Sequence, residues 1–103
     1  MGKEPVHLPF KHQFKDLLLS GQKTCTSRTH AWGQVGDKFQ AFDAVFEITG
    51  IEMKTLHDVA TQLYKEEGFI TPGEFVSIWN EIHTNMGFLP KQKVFVHHFR
   101  KVV

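Results

Sequence analysis

The spacing of apolar side chains separates helical from extended segments along this chain. Phe10, Phe14, Leu17 and Leu18 recur at helical intervals, and Ser20-Gly21 follows with the glycine that commonly ends a helix in a left-handed turn. A first helix is predicted over residues 10–19. The next run, Lys23-Thr24-Cys25-Thr26-Ser27-Arg28, is short and Thr-rich, the composition of an extended segment. Trp32-Gly33 and Val35-Gly36-Asp37 mark a turn. Residues 38–53 are rich in Phe, Val and Ile, with interruptions at Asp43 and Gly50, and predict two or three short strands in a hairpin or meander.

Thr55 with Asp58 three residues later reads as a helix start, and Leu56, Val59, Ala60, Leu63 and Tyr64 form one apolar stripe that ends before Gly68. Thr71-Pro72-Gly73-Glu74 is a capping box with Pro at the first helical position. Phe75, Ile78, Trp79 and Ile82 follow at i, i+3, i+4 and i+7, so a third helix runs to about His83. After Gly87 and Pro90, residues 93–99 have strand composition and are expected to close the sheet. The order helix, strands, two helices, strand defines an α+β chain.

Length and composition narrow the picture. A chain of 103 residues is long enough for one core, and no repeat, low-complexity tract or linker offers a boundary, so a single domain over residues 1–103 is expected. No stretch approaches the ~20 apolar residues of a bilayer helix, and the first ten residues lack the apolar centre of a signal peptide. Met1-Gly2 is not followed by a myristoylation signal, because Val6 stands where Ser or Thr is wanted. A cytoplasmic location with no membrane partner is the simplest expectation. The lone Cys25 excludes an internal disulfide and a cysteine zinc cluster, and no disulfide-linked partner is expected.

The net charge of +1 gives the whole molecule no strong field for nucleic acid, but the distribution is uneven. Lys3, Lys11, Lys15, Lys23 and Arg28 near the start outnumber Glu4 and Asp16, and Lys91, Lys93, Arg100 and Lys101 near the end face no acid. The middle is acidic, with Asp58, Glu66, Glu67, Glu74 and Glu81 against Lys65. If the two ends meet, one face is positive enough for a phosphate or a short RNA; otherwise these are ordinary solvated charges.

Candidate chemistry concentrates between Gly21 and Arg28, where two cations, two threonines, a serine and a thiol stand together. Strand alternation puts Thr24, Thr26 and Arg28 on one face and Lys23, Cys25 and Ser27 on the other. A hydroxyl beside a guanidinium fork suits phosphate or carboxylate recognition. The plainer alternative is an edge strand with solvated charges. Glu67, at the predicted end of the second helix, faces an unfavourable macrodipole unless a cation such as Lys23 compensates; the plainer alternative is a solvated Glu. The seven histidines, at positions 7, 12, 30, 57, 83, 97 and 98, lack ligand spacing, so no metal site is expected. One or two of them could stack on bases or bind phosphate when protonated. Trp32, in a Gly-flanked turn, either stacks on a nucleobase or folds back over the core.

The residues from Leu19 to Arg28 resemble the ASCH-domain signature, Gly-x-Lys-x-x-Thr/Ser-x-Arg after a helix. Val35-Gly36-Asp37-Lys38-Phe39 resembles that family's Gly-Asp turn into a strand, and Glu66-Glu67-Gly68-Phe69 with Phe75 and Trp79 resembles its second-helix ending and third helix, so the likeness extends from Phe10 to Phe99. The resemblance implies a PUA-like β-barrel or strongly bent mixed sheet flanked by about three helices, with a cleft that binds RNA or a modified nucleoside and needs no cofactor. Small bacterial members of this type deacetylate N4-acetylcytidine, using a Lys as proton acceptor, a Thr as nucleophile and a Glu as proton donor. The matching positions here are Lys23, Thr26 and Glu67, with Arg28, Thr24, Ser27 and Trp32 as substrate-binding candidates. Cys25 and Ser27 beside Thr26 leave the nucleophile open, and a one-residue gap leaves Glu74 as a second acid. Because Lys23 and Thr26 are an odd number of residues apart, a regular strand sends them to opposite faces, and their convergence requires a bend at the helix exit.

Overall fold

The computed structural model describes residues 8–102; the expectations about the N-terminal signal, myristoylation, Lys3, Glu4 and His7 lie outside the described residues. A 3-10 turn, His12–Phe14, leads into α1, Lys15–Ser20. Gly21 ends it at φ 83°, its N–H bonded to the Leu18 carbonyl, as Ser20-Gly21 predicts.

Four strands follow: β1 Cys25–Arg28, β2 Lys38–Ala41, β3 Ala44–Thr55 and β4 Lys93–Lys101. They form a curled, half-barrel sheet in the order β1-β4-β3-β2, antiparallel at every pairing. β2 and β3 make a hairpin whose two turn residues, Phe42 and Asp43, both have positive φ, matching the right-handed strand twist. Gly50 does not break the strand as its position suggests. It sits at a register shift between Ile48 and Gly50, an irregularity of the kind that bends a strand while pairing continues on either side. β4 lies inside the sheet, between β1 and β3.

Alternation along β4 explains why the sheet is covered on both faces. Val94 and Val96 point into one core with Cys25, Leu56, Val59, Ala60, Phe75 and Trp79, beneath α2, Leu56–Gln62, and α3, Pro72–Ile82. Phe99 points into the other, with Leu8, Phe14, Leu18, Phe39, Phe46 and Ile48. Both predicted caps form: Thr55 and Thr71 accept from the N–H groups of Asp58 and Glu74. The Glu74 carboxylate reaches back to the Ile70 N–H, one residue beyond the usual capping-box contact.

The apolar stripe overestimates α2, which stops at Gln62 instead of continuing to Gly68. The cause is tertiary. The Glu66 carbonyl accepts from the N–H groups of Thr24 at 2.7 Å and Cys25 at 3.2 Å, which draws residues 63–68 out of the helix and onto the start of β1.

Candidate functional site

That pair of backbone bonds brings Glu67 against the segment between α1 and β1. Lys23 Nζ donates to the Glu67 carbonyl at 2.9 Å and to Glu67 Oε1 at 3.0 Å. Ser27 Oγ donates to Glu67 Oε2 at 2.6 Å, so both carboxylate oxygens are engaged. Lys23 and Glu67 are each 3% exposed, and the ammonium lies 4.9 Å from the centre of the Phe14 ring. This is a buried ion pair, whose charges are tolerable only because each is matched and hydrogen-bonded.

Gly68 makes the close approach possible. Its φ is +104°, and a Cβ there would stand 3.1 Å from Leu17 Cδ1 and 3.3 Å from Lys23 Cβ.

On the other face of β1, Thr26 Oγ1 accepts from Arg28 Nε at 3.2 Å, and the guanidinium also donates to the Pro9 carbonyl at 2.6 Å while lying 5.0 Å from the Phe10 ring centre. Thr26 and Arg28 thus share a face, and Lys23 and Ser27 converge on Glu67, as strand alternation predicts. The two sets still meet in one cavity of about 370 Å³, lined by Lys23, Thr26, Ser27, Arg28 and Glu67 with the rings of Phe10, Phe14 and Trp79. Among the described residues β1 is an edge strand, and side chains from both of its faces line the cavity. The odd spacing of Lys23 and Thr26 is accommodated in this way.

Cys25 is fully buried in the core under α2 and α3, and burial, with Glu67 next in effect, pushes its thiol far above the usual range. Its side chain is absent from the cavity wall, which removes it as a nucleophile. Thr24 is exposed and contributes backbone contacts to Glu66 and Phe99. Trp32 is half-buried against the core, with its ring 5.1 Å from that of His30, and is absent from the cavity lining. Glu74 is exposed and occupied in capping α3, so Glu67 is the acid that meets Lys23.

Other residues emerge only from the fold. His97, fully buried, accepts from the Trp32 N–H at Nε2, 2.9 Å, and bonds the Phe95 carbonyl through Nδ1, 3.1 Å. That pairing fixes the neutral ring with its proton on Nδ1, and desolvation lowers the histidine pKa. Alternation places His97 on the same face as Phe95 and Phe99, a sequence signal for a buried histidine. His83 stacks on Trp79 at 3.8 Å and lines the cavity. A wider groove of about 940 Å³ between Gln22, Lys65 and α3 shares Phe69 and Ile78 with the cavity but contains none of Lys23, Thr26, Arg28 and Glu67.

The curled antiparallel sheet with helices on its faces is the fold of an ASCH domain. Two solved structures share it. One is an ASCH domain from Lactobacillus crispatus JV V101, at 16% identity over 93% of this chain and 76% of the other, with a TM-score of 0.55. The second is a protein from Enterococcus faecalis V583 described under DUF984, at 19% identity over 87% of this chain and 70% of the other, with a TM-score of 0.68. No family model matches the sequence, and no curated protein matches it significantly.

Proposed function

We propose that this chain binds a modified nucleoside or an unpaired RNA base in the cavity along β1. The observation that carries the reading is an aromatic-walled cavity of about 370 Å³ into which Lys23 and Arg28, two hydroxyls and an acid converge. Its volume lies near the small end of ligand cavities, which span roughly 300 to 1,000 Å³, so one nucleoside unit fills it. Phe10 and Phe14 supply flat apolar contact, and Lys23, Ser27 and Glu67 supply donors and acceptors for a base edge.

A second reading, deacetylation of N4-acetylcytidine or a related acylated nucleoside, is favoured by the Lys23–Glu67 contact. Transfer of one proton from Nζ to Oε1 leaves a neutral amine able to accept a proton and a carboxylic acid able to donate one. A hydroxyl oxygen, that of Thr26 by the family resemblance, then bonds to the acetyl carbon as its proton passes to Lys23. The C–N bond breaks as Glu67 protonates the departing amine, and water releases acetate from the acylated hydroxyl. In the resting arrangement Thr26 is bonded to Arg28 and Lys23 to Glu67, so this course requires Lys23 to swing toward Thr26.

The test is a titration with N4-acetylcytidine, other nucleosides and a short single-stranded RNA, followed by backbone NMR, with chromatography of the mixture for released cytidine. Shifts confined to residues 9–14, 23–28, 67–69 and 78–83 are expected. No perturbation there by any of these compounds sinks the binding reading, and binding without cytidine release removes the enzymatic one.

A further inference from the structure

We propose that the ligand of this cavity is phosphorylated, a nucleotide unit whose phosphate rests on the guanidinium of Arg28. The inference depends on the nucleoside reading above and names a part of the ligand that reading leaves open.

Two cations from the signature segment reach the cavity, in opposite electrostatic states. Lys23 is matched, with its ammonium held by the Glu67 carboxylate and carbonyl. Arg28 forms no ion pair with any carboxylate among the described residues. Its partners are a hydroxyl, a carbonyl and an aromatic ring, all neutral. A guanidinium half out of water whose direct contacts are all neutral, with the Glu67 carboxylate acting on it only from beyond contact, is an unfavourable resting place for a charge, unless an anion completes it.

The geometry fits that completion. Thr26 Oγ1 on Nε and the Pro9 carbonyl on one Nη2 hydrogen fix the plane of the fork, and Phe10 lies against it, so little motion remains to be lost on binding. Of the five N–H donors, two are engaged. Among the described residues Nη1 has no hydrogen-bond partner and no buried side-chain nitrogen or oxygen lacks one, so Nη1 opens onto water or the cavity. A planar fork with free parallel donors suits the oxygens of a phosphate. Lys11, exposed at the rim of the same cavity, adds a second positive charge at that end. The Lys23–Glu67 pair is neutral in sum, so the net field of the described lining is positive.

Calorimetric titration of the whole chain with N4-acetylcytidine and with its 5′-monophosphate tests the proposal. The monophosphate is expected to bind at least about tenfold more tightly at low salt, with the advantage shrinking as salt rises. Arg28→Gln should abolish the difference between the two ligands, and Arg28→Lys should restore part of it because charge returns without the fork. Circular dichroism of each variant separates this outcome from unfolding. A trinucleotide that binds more tightly than the monophosphate assigns the phosphate to an RNA strand, and one that binds no more tightly assigns it to the free nucleotide; both agree with the proposal. Equal affinity of nucleoside and monophosphate, or a phosphate advantage that survives Arg28→Gln, overturns it while sparing the nucleoside reading. If neither compound binds, nor any of the other nucleosides or the RNA, both fall together.

Discussion

Ser27 Oγ donates to Glu67 Oε2 across 2.6 Å, joining the edge strand to a turn 40 residues further along the chain. The bond ends on a buried carboxylate, so its loss leaves an acceptor out of reach of water. Ser27→Ala should lower unfolding free energy by about 1–3 kcal/mol in urea denaturation. Ser27→Thr, which keeps the hydroxyl, should recover most of the loss. An alanine variant as stable as the parent would mean that the carboxylate finds another donor.

Lys23 is a stability residue as well as a candidate for chemistry. Removing one partner of the buried pair strands the other charge, so Lys23→Met and Glu67→Leu should each cost about 3–5 kcal/mol, whereas the two together should cost much less than the sum. The double-mutant cycle from chemical denaturation measures this, and purely additive losses would contradict a coupled pair. Lys23→Ala is therefore a poor probe of binding unless stability is measured beside it. Thr26→Ala, which disturbs no buried charge pair, is the cleaner variant.

Stability should fall as pH drops below about 6.5. His97 is held neutral by two hydrogen bonds, and its pKa is lowered chiefly by desolvation, with Arg28 acting in the same direction and Glu67 and the backbone carbonyls against. Between the lowered folded value and the ordinary one, the unfolded chain binds the extra proton, so the contribution is complete above the unfolded pKa and is lost as pH falls toward the folded one. Urea midpoints at pH 7.5 and 5.5 should differ in this direction, and His97→Gln should flatten the difference. Glu52, held below the usual carboxylate range chiefly by its hydrogen bond from His98, gives up its contribution only at lower pH, near and below the carboxylate range.

The thiol of Cys25 should be inert to Ellman's reagent at pH 8 in the folded protein and react fully in denaturant, because it is sealed beneath two helices and its ionisation is suppressed by burial. Fast labelling of the native chain would contradict the packing of β1 against α2 and α3.

Gly68→Ala should destabilise by about 1–3 kcal/mol, since it combines a left-handed backbone with a Cβ tight against Leu17 and Lys23. Thermal melting checks this. The same variant should weaken nucleoside binding, because the cheapest relief pushes Lys23 away from Glu67.

What was legible in the sequence was what local chemistry decides. The caps at Thr55 and Thr71, the glycine exit at Gly21 and the strand composition of residues 93–99 each depend on a few neighbouring residues, and each matches the observed element. The signature segment also announced that Lys23, Ser27, Thr26 and Arg28 divide between two faces. The end of α2 was not legible, because the backbone of Thr24 and Cys25 sets it from across the chain. Nor was the cavity's aromatic wall: Phe10, Phe14 and Trp79 lie on helical stripes, and periodicity does not distinguish a side chain that fills a core from one that also borders a hollow. Trp32 carried equal expectations of stacking on a base and of covering the core, and its half-buried place follows the second.

Among the described residues β1 pairs with β4 alone, Cys25 to His98 and Arg28 to Phe95. The strand that seats Thr26 and Ser27 thus waits for a segment far along the chain from it. Until residues 93–98 emerge, the segment bearing both hydroxyls has no neighbour in the described sheet to hold it, so binding competence should arrive only with β4 and in one step.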